Sequence, residues 1–316
     1  MSEPDPGLSS GAVVAEPETL HAPPPRLSSP LARLALDFCA SRPAVAGLAV
    51  ILVVAVAAIF APLIVPQNPY DLAQLDIMDG TLPPGSPSYA FGTYWLGTDV
   101  QGRDMLSAIV YGLRISLLVG SVSVAFALVI GSAVGLVAAF FGGGLDSLLM
   151  RIVDIQLSFP AILVALILLA IFGNGVDKVI IALVIVQWAY YARAVRGSAL
   201  VERRKEYIDA AVCLGLGTRR VLFGHLLPNC LPPLIVIATV QVAHAVALEA
   251  TLSFLGVGVP ITEPSLGLLI ANGFEYMMSG RYWISFFPGV ALVVVIVAIN
   301  LVGDRLRDLL NPRLQR

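Results

Sequence analysis

The chain has 316 residues, 58% of them hydrophobic and 13% charged, with a formal net charge of −2 and a mean hydropathy of +0.87. Soluble domains carry a smaller apolar share and about twice the charge, so this excess excludes burial in one water-soluble core and makes lipid the solvent for much of the surface. Three cysteines, Cys39, Cys213 and Cys230, are too few and too scattered for a disulfide framework or a zinc site and read as small apolar residues.

Residues 1–43 read as an N-terminal tail. Its first 30 residues, with Pro23-Pro24-Pro25, hold no apolar run and read as disordered. A basic segment followed at once by an apolar core is missing, so the first hydrophobic stretch reads as a retained helix and not as a cleaved signal. Six stretches meet the requirement of roughly 20 predominantly apolar residues for a span. These are Ala44 to Val65, Ile115 to Phe141, Ile155 to Val176, Val179 to Ala192 (extending to about Leu200), Leu231 to Val259, and Ile284 to Gly303. The fourth needs Arg193 and Arg196 to snorkel. The spacing therefore predicts an all-α integral membrane protein. A first helix (44–65) leads to a long loop (66–114), a five-helix unit (115–305) and a tail (306–316).

Fifteen of the nineteen Lys and Arg residues fall in the two tails, the second-to-third connection and the segment from Arg193 to His225; the other side holds Arg103, Arg114, Lys178 and Arg281. That bias predicts both termini on the cytoplasmic side. The first outer loop is rich in Pro and Asp, and Thr98 or Asp99 is placed to cap a short helix toward Tyr111. It reads either as a surface loop or as a platform for an extracytoplasmic binding partner. In the second span, Gly131-x-x-x-Gly135 permits close helix approach. Asp154 and Arg151 read as an i,i+3 pair.

Two ionisable groups fall inside the fifth span, His244 and Glu249. A charge at such depth costs about 2.5–3.5 kcal/mol on insertion scales, so each needs a role. Glu249 reads as paired with a neighbouring helix, or alternatively as a pathway or gate group. His244 is the candidate for solute preference. The outer connection from Gly256 to about Tyr282, with Pro260, Glu263 and Pro264, reads as irregular backbone and a candidate gate.

The most informative stretch is 201–228, which contains Glu206-Tyr207-Ile208-Asp209-Ala210-Ala211, then Gly215-Leu216-Gly217 and His225-Leu226-Leu227-Pro228-Asn229. It reads as two short helices broken at Gly215 and Gly217, with Ala210 and Ala211 giving a face without bulk and Pro228 ending the second helix. This stretch resembles the EAA motif of ABC importer permeases, with Asp209 in place of the usual Glu and His225-x-Leu-Pro-Asn as in the peptide and nickel branch. Leu96-Gly97-Thr98-Asp99, Gly102-Arg103-Asp104, Met150-Arg151-Ile152-Val153-Asp154 and Glu249-Ala250-Thr251-Leu252-Ser253-Phe254-Leu255-Gly256 are similar to the same branch. So is Asn300-Leu301-Val302-Gly303-Asp304-Arg305.

The resemblance covers about residues 40 to 313 and implies a type I importer permease core, of the C-type partner in a dipeptide or oligopeptide importer. It implies four kinds of partner: a second, B-type permease, two ATPase subunits holding ATP and Mg, an extracytoplasmic solute-binding protein, and membrane lipid. The ATPase-coupling residues would be Asp209, Ala210, Ala211, Gly215, Gly217 and Pro228. At position 244 a small residue is more usual in that branch. Nickel, glutathione and opine importers share the architecture, so the solute stays open.

The chain's two lysines, Lys178 and Lys205, do not follow a glycine, which excludes a Gly-x-x-x-x-Gly-Lys phosphate loop. An enzyme is not expected, nor a bound cofactor, metal or nucleic acid. An ion-coupled secondary transporter is the rival reading; it predicts an inverted repeat, and none is visible. A membrane protease would want Gly-x-Ser-Gly or His-Glu-x-x-His, both absent.

Overall fold

The computed structural model describes residues 30–88, 92–260 and 262–310. The polyproline run Pro23–Pro25, most of the expected disordered tail, and Arg26, Arg313 and Arg316 lie outside the described residues. Twelve α-helices follow in chain order among the described residues: α1 (Pro30–Cys39), α2 (Arg42–Ile59), α3 (Ala61–Ile64), α4 (Met105–Phe141), α5 (Gly143–Ser158), α6 (Ala161–Phe172), α7 (Val176–Glu202), α8 (Glu206–Cys213), α9 (Thr218–Val221), α10 (Leu227–Phe254), α11 (Leu266–Phe274) and α12 (Trp283–Leu310). By length and composition α2, α4, α7, the helical run from Thr218 to Phe254, and α12 can each cross a membrane. The pair α5 and α6, bent by 89°, makes a sixth if the two helices together count as one broken span.

The helix ends depart from those expected at several places. Residues 30–39 are helical: Leu34 and Phe38 recur at i,i+4, Phe38 is buried, and Arg305 of α12 donates to the Asp37 carbonyl. The first span breaks at Phe60 and ends with the single turn of α3, which starts on Ala61 with a proline in its first turn. The second span and the expected short helix toward Tyr111 are one helix of 37 residues. Its cap is neither Thr98 nor Asp99 but Asp104, whose carboxylate accepts from the Ser107 N–H (2.8 Å) and hydroxyl (2.6 Å). The last span runs on to Leu310, into the expected tail.

The third span is not straight. Phe159, before Pro160, takes φ −93° and ψ 140°, the extended conformation that a following proline imposes, and the chain turns there. α5 therefore lies across α7, and this reassigns its charges. Asp154 pairs with Arg193, not with Arg151, while Asp146 accepts two hydrogen bonds from Arg196 at 2.5 and 2.6 Å.

The tightest packing joins α4 to α7. A methyl group on Gly131 would stand 2.3 Å from the Trp188 carbonyl oxygen, and one on Gly135 2.5 Å from that of Ala192. The Gly-x-x-x-Gly pattern is thus the seam of this helix pair. Around it α4, α6, α7 and α10 bury a core containing Val119, Leu136, Leu183, Tyr191 and Leu252. α2 sits at the periphery against α12, with Leu52, Val53, Val56 and Ile59 more than half exposed; lipid is their solvent.

The loop expected on the outer side is folded. Two 3₁₀ turns (Leu72–Gln74 and Ile77–Asp79) precede an antiparallel hairpin of β1 (Ser86–Ser88) and β2 (Gly92–Tyr94). These strands are a small exception to the all-α expectation. Buried Gln67 accepts from the Asp104 N–H at 2.5 Å, Tyr94 donates to Asp79 at 2.7 Å, and Trp283 of α12 donates to the Thr98 carbonyl at 3.2 Å. Burial raises the Asp99 carboxyl above its ordinary value, against the lowering effect of the Arg103 N–H bond and charge. Burial likewise lowers the Arg103 guanidinium, against the opposing pull of the Asp99 charge.

The second outer connection is also more regular than expected. Ser265 accepts from the Leu268 N–H at 3.2 Å and caps α11. That helix is pressed onto α10 and α12: methyl groups on Gly267 and Gly273 would stand 2.1 Å from the Ala250 oxygen and 2.4 Å from the Ser285 nitrogen.

Candidate functional site

The expected two-helix segment forms at the basic end of the bundle. α8 starts after the extended Lys205, and two inward residues, Ile208 and Ala211, join the main core with Val221, Leu222 and Leu226. A polar strap fixes the same helix from the other side. Tyr207 donates to Glu202 at 2.8 Å, Asn229 donates to the Tyr207 oxygen at 3.0 Å, and Lys205 pairs with Glu202 at 2.6 Å. Desolvation, then the hydrogen bond to the Glu202 carboxylate and its charge, push the Tyr207 hydroxyl up to about 12.

The turn between α8 and α9 has one residue whose backbone favours glycine. Gly215 takes φ +72°; its N–H reaches the Val212 carbonyl at 2.9 Å and the Leu216 N–H reaches that of Ala211 at 3.2 Å. This pair of bonds is the Schellman cap, which places a left-handed residue just past the helix. Gly217 is different. It sits at φ −59° and ψ 145° with nothing near a would-be methyl group, so the backbone there does not demand glycine. The sequence expectation of two permissive breaks is corrected to one.

Pro228 does not end the second helix. α9 passes through a π-helical stretch, Leu222–Leu226, where the Leu227 N–H bonds to the Leu222 carbonyl, straight into α10. Pro228, Pro232 and Pro233 each lack an N–H and so leave carbonyls one turn earlier without a helical partner; the π stretch ends just before the first of them. Ala210 and Asp209 are exposed, whereas Ala211 is buried. Of the alanine pair, only Ala210 presents its smooth face outward. Around it Val212, Leu214 and Phe223 are 54%, 80% and 60% exposed. These exposed apolar side chains stand at the basic end.

The three residues expected near a pathway or gate do not come together. Glu249 is wholly buried and accepts from Ser116 of α4 and Ser253 of α10, each at 2.8 Å, so its role is to join helices. Glu263 is half-buried in the α10–α11 connection, where its charge acts on Tyr70. Burial, then the Glu263 charge, raise the Tyr70 hydroxyl to about 12.

His244 lines a cavity. A space of about 1060 Å³ is bounded by α7, α10 and α12, with Glu202, Asn229, Asp304 and Arg307 at its basic end and Gln241 and His244 further in. A second space of about 340 Å³ continues past Gln187 to Thr251, and shares Tyr190, Gln241 and His244 with the first. Gln187 and Tyr190 were not singled out from sequence. Their spacing on α7 mirrors that of Gln241 and His244 on α10, a pattern that acquires meaning only once the two helices are known to face each other.

Comparison with known proteins bears on all of this. Residues 127–316 match the family described as binding-protein-dependent transport system inner membrane component. The chain belongs to that family of transport permeases. Residues 29–84 of this permease match the N-terminal transmembrane domain of oligopeptide transport permease C. It is 34% identical over 288 residues to the dipeptide transport system permease protein DppC of Haemophilus influenzae, covering 91% of this chain and 96% of that protein. It is 37% identical over 290 residues to the di/tripeptide transport system permease protein DppC of Pseudomonas aeruginosa, covering 91% and 93%. A chain of the MetNI methionine ABC transporter, solved in inward-facing conformations, matches with a TM-score of 0.54 and 26% identity. That match covers 66% of this permease and 98% of the MetNI chain. The permease is thus a multi-pass helical membrane protein with the importer-permease core expected from its sequence.

Proposed function

We propose that this chain is the C-type permease of an ATP-driven importer of dipeptides and oligopeptides in a bacterial cytoplasmic membrane, with both termini inside. It lines half of a pathway whose other half comes from a B-type permease. α8 and α9 dock on one of two ATPase subunits, and closure of the ATPases rocks the pathway between inward-open and outward-open. ATP and Mg are held by those subunits, and a solute-binding protein delivers peptide at the outer cap.

The observation that carries this reading is the two-helix segment α8–α9 around the Gly215 cap, which leaves Ala210, Val212, Leu214 and Phe223 exposed. It stands at the same end as Arg193, Arg196, Arg203, Arg204, Lys205, Arg219 and Arg220 and connects the ends of α7 and α10. A partner pushing on it would move the two helices that bound the inner cavity. The peptide assignment draws on the relatives, whose names are those of peptide permeases along nearly their whole length. Uptake of a labelled dipeptide, with nickel assayed in parallel, tests it in cells lacking the chain and in cells with it restored. Loss and recovery of dipeptide uptake alone is expected; loss of nickel uptake instead would overturn the peptide assignment.

A further inference from the structure

The site meant here is the waist between the two cavities. α7 and α10 run antiparallel, and near the midpoint of each a pair of polar residues is set at i,i+3: Gln187 and Tyr190 on α7, Gln241 and His244 on α10. Residues at that spacing share a helix face, and all four side chains line the same continuous space. None of the four side chains has a hydrogen-bond partner among the described residues, and the Gln187 Oε1 is a buried acceptor left unpaired on a residue only 3% exposed. At mid-span depth a polar group without a partner in its own chain meets water, a solute or a neighbouring subunit. Four such groups converging from two helices make a built site, not scattered tolerance.

The donor and acceptor inventory says what would fit. Each Gln offers a carbonyl acceptor and an NH₂ donor, the imidazole has two ring nitrogens able to hydrogen-bond, and the Tyr hydroxyl both donates and accepts. An extended peptide backbone presents the same alternation of N–H and C=O. The waist carries no carboxylate and no lysine or arginine; Glu202, Asp304 and Arg307 lie only at the far, basic end of the inner cavity. Nor is any group of three His, Cys, Asp or Glu side chains arranged for a metal ion among the described residues, so His244 is not part of a chelating set. Neutral hydrogen bonds hold a solute weakly, as a pathway station requires if the solute is to leave again.

We propose that Gln187, Tyr190, Gln241 and His244 form a mid-pathway station that hydrogen-bonds the backbone amides of a passing peptide, whatever its side chains. This rests on the peptide-importer reading above. The test uses the complete transporter, with its partner permease, ATPases and binding protein, in lipid vesicles. Labelled dialanine uptake and ATP hydrolysis are measured together for the native complex and for the Gln187→Leu/Gln241→Leu variant. Loss of two neutral hydrogen bonds should lower peptides carried per ATP about tenfold; an unchanged ratio would overturn the station. A second measurement needs no variant: a dipeptide bearing a photoreactive side chain is cross-linked in the native complex. Adducts on α7 near 187–190 or on α10 near 241–244 are expected, and adducts only elsewhere would refute the proposal. Absence of dipeptide uptake by the native complex would instead reject the peptide-importer reading itself.

Discussion

Replacing Gly215 by alanine isolates the coupling turn, because the structure leaves only one way for it to act. Nothing lies within 4 Å of where the new methyl group would sit, so no neighbour is displaced and the inward face of α8 is untouched. What changes is the backbone: at φ +72° a Cβ approaches the following carbonyl oxygen, a penalty of about 1–2 kcal/mol. That penalty falls on the Schellman cap that sets the angle between α8 and α9. If the docked state needs this angle, the population competent to dock falls by a factor of about 5 to 30. Gly215→Asn, which tolerates the left-handed region better, should fall between native and alanine. Gly217→Ala should be near neutral, since its φ of −59° suits any residue. The assay is ATP-dependent dipeptide uptake normalised to permease in the membrane, with ATPase co-purification as a second readout. Equal effects at 215 and 217, or native uptake in Gly215→Ala, would refute the reasoning. Gly215→Asp adds both a Cβ and a charge at the cap and is expected to abolish transport while the protein stays inserted.

Three further outcomes follow from other parts of the chain. Gly135→Val would drive a side chain into the Ala192 carbonyl and should remove the permease from the membrane fraction by misfolding, as measured by immunoblot against native levels. Glu249→Ala leaves the Ser116 and Ser253 hydroxyls without their acceptor and should lower stability by about 1–3 kcal/mol, read as a lower midpoint of thermal unfolding in detergent; Glu249→Gln keeps an acceptor and should lose less. Tyr207 titrates near 12 in place of the ordinary 10. With the folded value raised, its contribution to stability is complete below pH 10 and is lost as pH rises through 12. The difference in tyrosinate absorbance between native protein and Tyr207→Phe should therefore be absent at pH 10.5.

The spans were legible because each is an apolar run long enough to cross, and the basic residues collect at one end. Their true ends were not, since helices continue past charge wherever a cap or a packing partner allows. Asp104 caps α4 well before the apolar run begins at Ile115, and α12 carries Asp304, Arg305 and Arg307 within it. Pro160 was visible, but the 89° turn it permits depends on α5 finding α7, which also decides that Asp154 meets Arg193 and not Arg151. The two-helix segment proposed to couple to the ATPases was readable from its glycine, alanine and proline spacing. Even so, Gly215 and Gly217 look alike in sequence, and only the register of the cap distinguishes them. Gln187 and Tyr190 gave no local signal, because a polar residue in an apolar helix acquires a role only from what faces it.

The central claim is that this permease moves solute on energy supplied by ATPase partners bound at α8 and α9. The most direct measurement is dipeptide accumulation in vesicles holding the complete transporter and binding protein, with ATP supplied or withheld and with ion gradients present or collapsed. Accumulation that requires ATP, survives collapse of the gradients and disappears when this chain is omitted is the result expected. Accumulation without ATP that vanishes when the gradients are collapsed would contradict the account and mark the chain as an ion-coupled transporter.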